Sequence, residues 1–358
     1  KGLLSNLLTL LSNFGASILT INQNIPSDGI ASVSVSMTTQ EKIKELKGII
    51  NQKLLPLIDN DYIYLDLPYH NNIGDILIWQ GTLDFFKQLP HKCLYATDCK
   101  NYNPQQLCKD TIILLHGGGN WGDLYEVHHE FRKRIIQDFP NHRIIVLPQS
   151  IHYQNSKKLE SDIAFFKDYP NVTICTRDQQ SYELAKKSFT NNQVLLMPDM
   201  AFHLNMTSFA SSIKSIRQKH LYFKRKDDEF NNKYRNISIP KEADVSDWPT
   251  FEHYPLKYLF IDILFGVPKR IIKHFNLSFS HKLMDYKREW FFRENFVKMG
   301  IRFLSQYETI YTTRLHAMIL SILLNKQIYV IDNSYGKNYS YYDTWLSNLE
   351  NVSKHSQP

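Results

Sequence analysis

The sequence predicts an α/β protein in which helices cover both faces of parallel β-sheets. Strand-like and helix-like segments alternate through most of the chain. Several strand-like segments, such as residues 111–115 and 143–147, are almost continuously apolar, which is typical of strands buried on both faces. The chain has 358 residues, more than one typical domain, so we expect two domains.

The elements of the first half follow a regular order. A helix is predicted over 39–55 because Ile43, Leu46, Ile50 and Leu54 share one face. Strands are predicted at 62–67, 111–115, 143–147, 172–176 and 194–197, with intervening helices that end near 88, 138, 167 and 187. Polar clusters follow these strands, and parallel α/β sheets bind ligands at the carboxyl ends of their strands.

The second half repeats the pattern after a Ser/Thr-rich linker at 205–215. Strands are predicted near 221–223, 310–313 and 327–331, with helices at 286–306, 317–324 and 339–349. We therefore expect a peripheral extension over 1–36, a first domain over 37–210, a second domain over 211–338, and a C-terminal helix in 339–358 that packs back on the first domain. Met37 is the expected functional start of the chain.

Composition narrows the class of protein. With 43% hydrophobic and 22% charged residues, the chain is neither disordered nor fibrous. Residues 201–300 hold 18 Lys/Arg against 11 Asp/Glu, so the whole formal charge of +7 lies there. This region has no zinc-finger spacing or regular basic helix, which argues against nucleic acid as a partner. The four cysteines lack metal or disulfide spacing, so we expect a reducing, cytoplasmic compartment.

Two segments bear on membranes. Residues 1–21 are apolar but interrupted by polar residues, and no stretch has 18 uninterrupted apolar residues, so no membrane span is predicted. The segment 251–279 is aromatic, apolar and basic together. It is either a pair of core helices or a surface that contacts a membrane or a lipid-linked substrate.

The stretch 310–317 carries the strongest chemical signal. An apolar strand ends in Arg314 and His316, and an apolar helix follows at once. The start of a helix favours anions, an arginine fork suits carboxylate or phosphate, and a histidine can carry a proton near neutral pH. The alternative is that Arg314 caps a neighbouring element and His316 is an interior histidine.

Two further cations follow strands. Arg177 is either paired with Asp178 or directed across a cleft towards Arg314 and Lys337. Lys337 is either a phosphate ligand or a solvated loop lysine. If the three cations converge without partners, they require an anionic ligand, because like charges in a cleft repel one another.

The glycine run at 117–119 either lets backbone N–H groups approach a ligand or forms a tight structural turn. It lacks the spacing of phosphate-binding or dinucleotide-binding loops. Asn120, Trp121 and Asp123 after it suit stacking and hydrogen bonding to a sugar. Asn72 and Asp75 repeat this theme one strand earlier, although Asp75 is equally an N-cap candidate. Motifs of serine hydrolases, zincins and metal-dependent sugar transferases do not occur.

The ordered set of motifs resembles the polysaccharide pyruvyltransferase family. The motifs are Asn72-Ile73-Gly74-Asp75, Leu115-His116-Gly117-Gly118-Gly119-Asn120-Trp121-Gly122-Asp123, Leu147-Pro148-Gln149-Ser150-Ile151, Thr176-Arg177-Asp178, Pro198-Asp199-Met200-Ala201, Thr313-Arg314-Leu315-His316-Ala317 and Ser334-Tyr335-Gly336-Lys337-Asn338. The resemblance covers about residues 60–345, and much of 250–285 falls outside it.

The resemblance implies two Rossmann-like domains that face one another across a cleft, as in the glycosyltransferase-B arrangement. It implies phosphoenolpyruvate as donor, a free or lipid-linked sugar diol as acceptor, and a pyruvate ketal as product in surface or exopolysaccharide biosynthesis. No cofactor and no metal are expected. The implied location is the cytoplasm, with peripheral contact at the inner face of the cell membrane as a further option.

Carried over residue by residue, the donor-binding cations are Arg177, Arg314 and Lys337, and the acid–base histidine is His316. Loops of the first domain are expected to hold the acceptor through Asn72, Asp75, Gly118, Asn120, Trp121, Asp123 and Gln149. Asp75 or Asp123 is the expected base for an acceptor hydroxyl.

Two other functions remain open at this point. A glycosyltransferase with a nucleotide-sugar donor would need an acidic ribose pocket in the second domain, and none is evident in the sequence. A non-catalytic protein would use the basic region 201–300 to bind an anionic polymer.

Overall fold

The computed structural model describes residues 18–23, 33–103, 106–235, 237–274 and 285–355. The first of two parallel sheets has the strand order β4-β3-β5-β7-β8-β9, and β6 pairs with β7. Its strands are β3 (Tyr62–Leu65), β4 (Cys93–Thr97), β5 (Ile112–Leu115), β6 (Gly118–Gly122), β7 (Ile144–His152), β8 (Val172–Thr176) and β9 (Gln193–Leu196). Every pairing within it is parallel. The short strands β4 and β6 were not predicted.

The second sheet has the order β11-β10-β12-β13-β14 and is also parallel throughout. Its strands are β10 (Gln218–Phe223), β11 (Asp244–Ser246), β12 (Tyr307–Thr312), β13 (Gln327–Val330) and β14 (Val352–Lys354). The chain is therefore a mixed α/β protein with parallel sheets, as predicted. Because β14 pairs with β13, the C-terminal stretch completes this sheet as well as forming a helix.

Two strands precede the first sheet. β1 (Ile18–Gln23) and β2 (Val33–Met37) pair antiparallel and form a two-stranded sheet of their own. The remainder of the predicted extension lies outside the described residues.

The helices are α1 (Thr39–Leu54), α2 (Ile73–Phe86), α3 (Glu126–Asp138), α4 (Ser156–Lys167), α5 (Gln179–Ser188), α6 (Pro249–Glu252), α7 (Leu256–His274), α8 (Glu294–Ser305), α9 (Leu315–Leu323) and α10 (Lys337–Trp345). Side chains fix several of their starts: Thr38 and Glu41 form a capping box on α1, and Asn72 caps α2. A π-helical turn, Arg288–Arg293, precedes α8, so the helix predicted over 286–306 is not uniform. The predicted linker contains a 3₁₀ helix, Met206–Ser212, anchored by buried Phe209.

Apolar residues of the first half share one core with the second sheet. Ile73 and Leu77 of α2 belong to the same buried cluster as Trp248, Ile301 and Leu320. A Cβ added to Gly300 of α8 would lie 2.9 Å from Cγ2 of Ile73, so glycine permits this close approach of α8 to α2. Helix α2 is therefore packed against elements of both halves.

Helix α10 contacts the first half of the chain. Nε1 of Trp345 donates to the carbonyl of Arg177 at 2.7 Å, and the backbone N–H of Asp199 donates to the hydroxyl of Tyr341 at 3.1 Å. These bonds hold the backbone at two residues of the site described below. Among the helices of the described residues, none combines the length and the apolar character needed to cross a bilayer.

Candidate active site

A cavity of about 330 Å³ is lined by residues that follow strands of both sheets. From the first sheet, Asp66 follows β3, His116 follows β5 and Arg177 follows β8. From the second sheet, Arg225 follows β10 and Arg314 follows β12. This is the edge at which parallel α/β sheets bind ligands.

The residues predicted for the donor and for acid–base chemistry meet in this cavity. Nη1 of Arg177 lies 3.3 Å from Nε2 of His316. A Cβ built on Gly119 would lie 3.2 Å from Nη2 of Arg177 and 3.7 Å from Nζ of Lys337, so both cations reach the same glycine. Arg314 lines the same cavity. Because Gly119 has no side chain, there is room beside its backbone for both cations.

Each of these cations already has a carboxylate partner. Nη1 of Arg177 lies 2.7 Å from Oδ2 of Asp199, and Nζ of Lys337 lies 2.6 Å from Oε2 of Glu229. Burial opposes ionisation of Glu229, but Lys337 and an adjacent arginine outweigh it and hold the pKa of Glu229 well below its usual value. Burial also lowers the pKa of Lys337 to about 8, because Glu229 offsets the desolvation only in part.

Arg314 is paired as well. Its Nε lies 2.5 Å from Oδ1 of Asp247, and its Nη2 lies 3.0 Å from Oδ2 of Asp227. The condition that the cations converge without partners is therefore not met, because an acid of the protein pairs with each of them. The internal Arg–Asp pair that was the alternative for Arg177 does form, but with Asp199 instead of Asp178. The side chain of Arg314 donates to the carboxylates of Asp247 and Asp227, so the interpretation of Arg314 as a cap of a neighbouring element needs correction.

Arg225 is a fourth cation of the cavity that the sequence analysis missed. Its Nε lies 2.6 Å from Asp227 and its Nη1 lies 2.7 Å from Glu229, so it connects the carboxylates of Arg314 and Lys337. A signal existed in the sequence. Arg225 and Arg314 both stand two residues beyond the end of a strand, and β10 and β12 are neighbours in parallel register.

His316 is held by a carboxylate and a glycine. Its Nε2 lies 3.3 Å from Oδ2 of Asp199, which also binds Arg177. Burial opposes ionisation of Asp199, but His316 and Arg177 outweigh it and lower the pKa of Asp199. A Cβ on Gly74 would lie only 2.7 Å from Nδ1 of His316, so the ring packs directly on the first turn of α2. The Asn-x-Gly-Asp motif thus supplies the space for this imidazole.

Asn72 and Asp75 also line the cavity, at the start of α2, where Gly74 packs on His316. Asn72 accepts a hydrogen bond from the N–H of Gly74 and donates to Oδ2 of Asp75 at 2.7 Å. The N-cap of α2 is therefore Asn72, and Asp75 is not the cap. Oδ2 of Asp75 lies 3.6 Å from Nε2 of His70. Burial opposes ionisation of Asp75, but His70 and His316 outweigh it and lower the pKa of Asp75.

The glycine-rich segment lines the cavity with its backbone and with the side chain of Asn120. Oδ1 of Asn120 accepts a hydrogen bond from Nη2 of Arg132 at 2.9 Å, and Asn120 lines the cavity. Gly118 is not among the lining residues, but its φ of 132° lies in a region that favours glycine. A Cβ there would lie 3.9 Å from Oδ1 of Asp75, so this backbone runs beside the carboxylate.

Three residues predicted to bind the acceptor do not line the cavity, because their side chains are held by contacts with other residues of the first half of the chain. Trp121 is buried in the core of the first sheet, where it stacks on Phe166 at 5.0 Å between ring centroids. Asp123 accepts hydrogen bonds from the backbone N–H groups of 154 and 155, which tie its loop to the end of β7. Gln149 is fully buried and donates to the carbonyl of His116 at 2.7 Å.

His116 is a further histidine of the cavity, to which the sequence analysis gave no role. Its Nδ1 lies 2.5 Å from the hydroxyl of Tyr64, while its Nε2 is buried and has no hydrogen-bond partner. Burial lowers the pKa of His116 to about 4, so the ring is neutral at physiological pH. Its position directly before the glycine run, at the end of a buried strand, was the available signal.

Asp66, Cys99 and His128 form a group whose ligand-type atoms lie within 4.8 Å of one another. Nδ1 of His128 lies 2.6 Å from Oδ1 of Asp66. Burial disfavours the charged imidazole, but Asp66 and Cys99 outweigh it and raise the pKa of His128 to about 10. A metal ion bound here would have to displace that proton, so the group fits an ion pair better than a metal centre.

Comparison with known proteins identifies the family. The chain matches the polysaccharide pyruvyl transferase family over residues 72–335. This protein belongs to that family. It is 36% identical over 314 residues to the putative pyruvyl transferase EpsO of Bacillus subtilis (strain 168), covering 84% of this chain and 91% of that protein. It is 29% identical over 293 residues to pyruvyl transferase 1 of Schizosaccharomyces pombe (strain 972), covering 79% of this chain and 69% of the relative.

The fold also has a solved counterpart. A functionally uncharacterised protein from Klebsiella pneumoniae superimposes with a TM-score of 0.56 at 21% identity, over 87% of this chain and 98% of that one. At this identity the likeness concerns the fold alone. The sequence-based assignment to the pyruvyltransferase family is thus confirmed, and the chain is a transferase of this family.

Proposed function

We propose that this pyruvyl transferase uses phosphoenolpyruvate as donor and converts a sugar diol to a pyruvate ketal, with release of phosphate. One observation carries the proposal. An imidazole, His316, lies 3.3 Å from a buried guanidinium, Arg177, in a cavity that also holds Lys337, Arg225 and Arg314. A small ligand with one carboxylate and one phosphate suits several fixed cations beside a proton donor.

The cations that would bind the donor are also paired with acidic residues of the protein. Lys337 and Arg225 both contact Oε2 of Glu229, and each cation keeps further N–H groups for a ligand. Because acids of the protein already neutralise these cations, the donor adds net negative charge to the site.

The proposed reaction begins with transfer of a proton from the imidazolium of His316 to the methylene carbon of phosphoenolpyruvate. The adjacent carbon gains oxocarbenium character, and the first sugar hydroxyl attacks it while losing its proton to a base. Phosphate then leaves with cleavage of its C–O bond. The second hydroxyl closes the ring and its proton goes to phosphate. No metal and no cofactor enters this scheme.

Asp75 is the proposed base for the first hydroxyl. Its pKa is lowered, so it is ionised at neutral pH, and it lines the same cavity as His316 and the cations. Asp123 is not proposed for this role because its carboxylate binds backbone N–H groups outside the cavity lining. Asn72 and Asn120 are proposed to bind hydroxyls of the acceptor.

Architecture and cellular role belong to the same proposal. The two sheets would be two Rossmann-like domains that face one another across the cavity in a glycosyltransferase-B-like arrangement. The proposed role is surface or exopolysaccharide biosynthesis in the cytoplasm, and the description of the matched family as polysaccharide pyruvyl transferase supports its polysaccharide part. A polysaccharide or its precursor is the proposed acceptor.

The decisive experiment measures phosphate release from phosphoenolpyruvate across a panel of glycosides, with mass spectrometry of the product. The proposal expects release that depends on both substrates and falls by roughly 100-fold or more in His316→Ala, while the fold is retained. Release of nucleotide from a nucleotide sugar, with no turnover of phosphoenolpyruvate, would instead indicate a glycosyltransferase and would overturn the proposal.

A further inference from the structure

Helix α7 exposes an apolar stripe to solvent. Leu256, Leu259, Phe260, Ile263 and Leu264 are 80%, 47%, 66%, 56% and 55% exposed. Their spacing of i, i+3, i+4, i+7 and i+8 places them on one face of the helix. Such a stripe normally faces a protein core. Of the two interpretations of segment 251–279, a pair of core helices is therefore wrong for these residues.

The orientation of α7 is fixed from its other face. Tyr258 is buried against Phe292 and Phe296, with ring centroids 5.3 Å and 5.1 Å away. The carboxylate of Asp262 accepts a hydrogen bond from the hydroxyl of Tyr254 at 2.7 Å and pairs with Lys287. The apolar stripe is thus turned outward because the opposite face is anchored by specific contacts.

A second group of aromatic side chains extends the stripe. Tyr286, Trp290 and Phe291 are 51%, 69% and 37% exposed. The ring centroid of Phe291 lies 5.7 Å from that of Phe265 on α7. We call the outer face of α7 together with these three aromatic residues the apolar platform. Trp and Tyr are the residues enriched where an apolar phase meets water, because each carries a polar group on an apolar ring.

The sequence of helix α7 is basic. Residues 256–274 contain four Lys/Arg, at positions 257, 269, 270 and 273, and a single carboxylate. That carboxylate, Asp262, is already bound to Lys287 and Tyr254. An apolar face on a basic helix is the combination that binds the headgroup region of anionic membranes.

The platform lies next to the cavity. Helix α6 ends at Glu252, only a short loop before α7, and its Phe251 lines the cavity. Oγ1 of Thr250 donates to the carbonyl of Asn71, another lining residue, at 2.6 Å. Asp285, which precedes Tyr286 of the platform, accepts a hydrogen bond from Tyr69, and the neighbours of Tyr69 in sequence, Pro68 and His70, line the cavity. Any surface that covers the platform is therefore adjacent to the cavity.

We propose that the apolar platform seats this protein on an anionic lipid surface, so that an acceptor glycan joined to a membrane lipid enters the neighbouring cavity. The seating itself does not depend on pyruvyl transfer; only the presentation of the acceptor rests on the proposed function. The helix lies in the plane of the headgroups with its stripe inserted, as an interfacial amphipathic helix does.

Flotation of the full chain with vesicles tests this. Vesicles of phosphatidylcholine alone are compared with an equimolar mixture of phosphatidylcholine and phosphatidylglycerol. The double variant Phe260→Glu/Ile263→Glu is compared with the control Val245→Glu/Ile216→Glu. The two control side chains are 62% and 57% exposed and are not part of the platform. We expect salt-sensitive binding of the wild type to the anionic vesicles. The platform variant should bind about 100-fold more weakly, and the control pair normally.

The proposal is overturned if the wild type does not float with anionic vesicles, or if the two double variants bind equally well. It is also overturned if the wild type is a dimer without lipid and the platform variant alone is a monomer, since the platform then covers a second copy. Circular dichroism shows whether both variants keep the fold. Vesicle binding needs no turnover, so failure of the proposed reaction in the phosphate-release assay is a separate result.

Discussion

Substitution of Gly74 by alanine should damage turnover while leaving the protein folded. The added Cβ would lie 2.7 Å from Nδ1 and 3.0 Å from Cβ of His316, whereas ordinary contacts are 3.4–4 Å. The imidazole therefore has to move by about 1 Å, a displacement that costs roughly 100-fold in rate when the group takes part in the chemistry. Alanine also favours the helix by up to about 1 kcal/mol, which offsets part of the steric cost to stability.

The assay is steady-state phosphate release, measured beside the midpoint of chemical denaturation. Gly48→Ala is the matched control, because it makes the same change within helix α1 and Gly48 does not line the cavity. The expected pattern is a low kcat for Gly74→Ala only, with both variants close to wild-type stability. Full activity in a folded Gly74→Ala variant would refute the role given to His316. Loss of activity explained by unfolding would refute the claim that the helix tolerates the change.

Three further outcomes follow from the site. Arg225→Gln should raise KM for phosphoenolpyruvate roughly 10- to 100-fold because charged hydrogen bonds to the donor are lost, while Lys226→Gln, exposed beside it, should not. Because the pKa of Lys337 is about 8, kcat/KM for the donor should fall as the ammonium deprotonates above that pH, and Lys337→Arg should abolish this limb of the pH profile. Trp121→Ala should lower the free energy of unfolding by about 3–5 kcal/mol without a selective effect on KM for the acceptor, since the side chain lies in the core; an intact denaturation midpoint would contradict this.

Local sequence patterns predicted the parts of the fold that depend on local contacts. The strand, loop and helix around Arg314 follow from an apolar run, two threonines and an apolar helix start, and β12 and α9 lie there. Strand β6 escaped prediction because glycine is rare in strands, and its pairing partner is distant in sequence. Without that strand, nothing indicated that Trp121 would point into the core.

The sequence predicted most of the cations of the candidate site, but not the acids that pair with them. Lys337 is paired with Glu229, 108 residues away, and Arg314 is paired with Asp247, 67 residues away. No periodicity or spacing reports such pairs, because the topology of the second sheet brings them together. Arg225 could have been predicted from the sequence, since it lies two residues after β10, as Arg314 lies two residues after β12.

The core shared by the two halves restricts how substrates enter and leave. A hinge rotation that separated α2 from the second sheet would expose Ile73, Leu77 and Trp248, at a cost of about 1.5–3 kcal/mol for each large apolar side chain. We therefore expect substrate exchange to proceed by small local movements around a cavity that is already assembled. Solution scattering profiles with and without phosphoenolpyruvate should accordingly be superimposable.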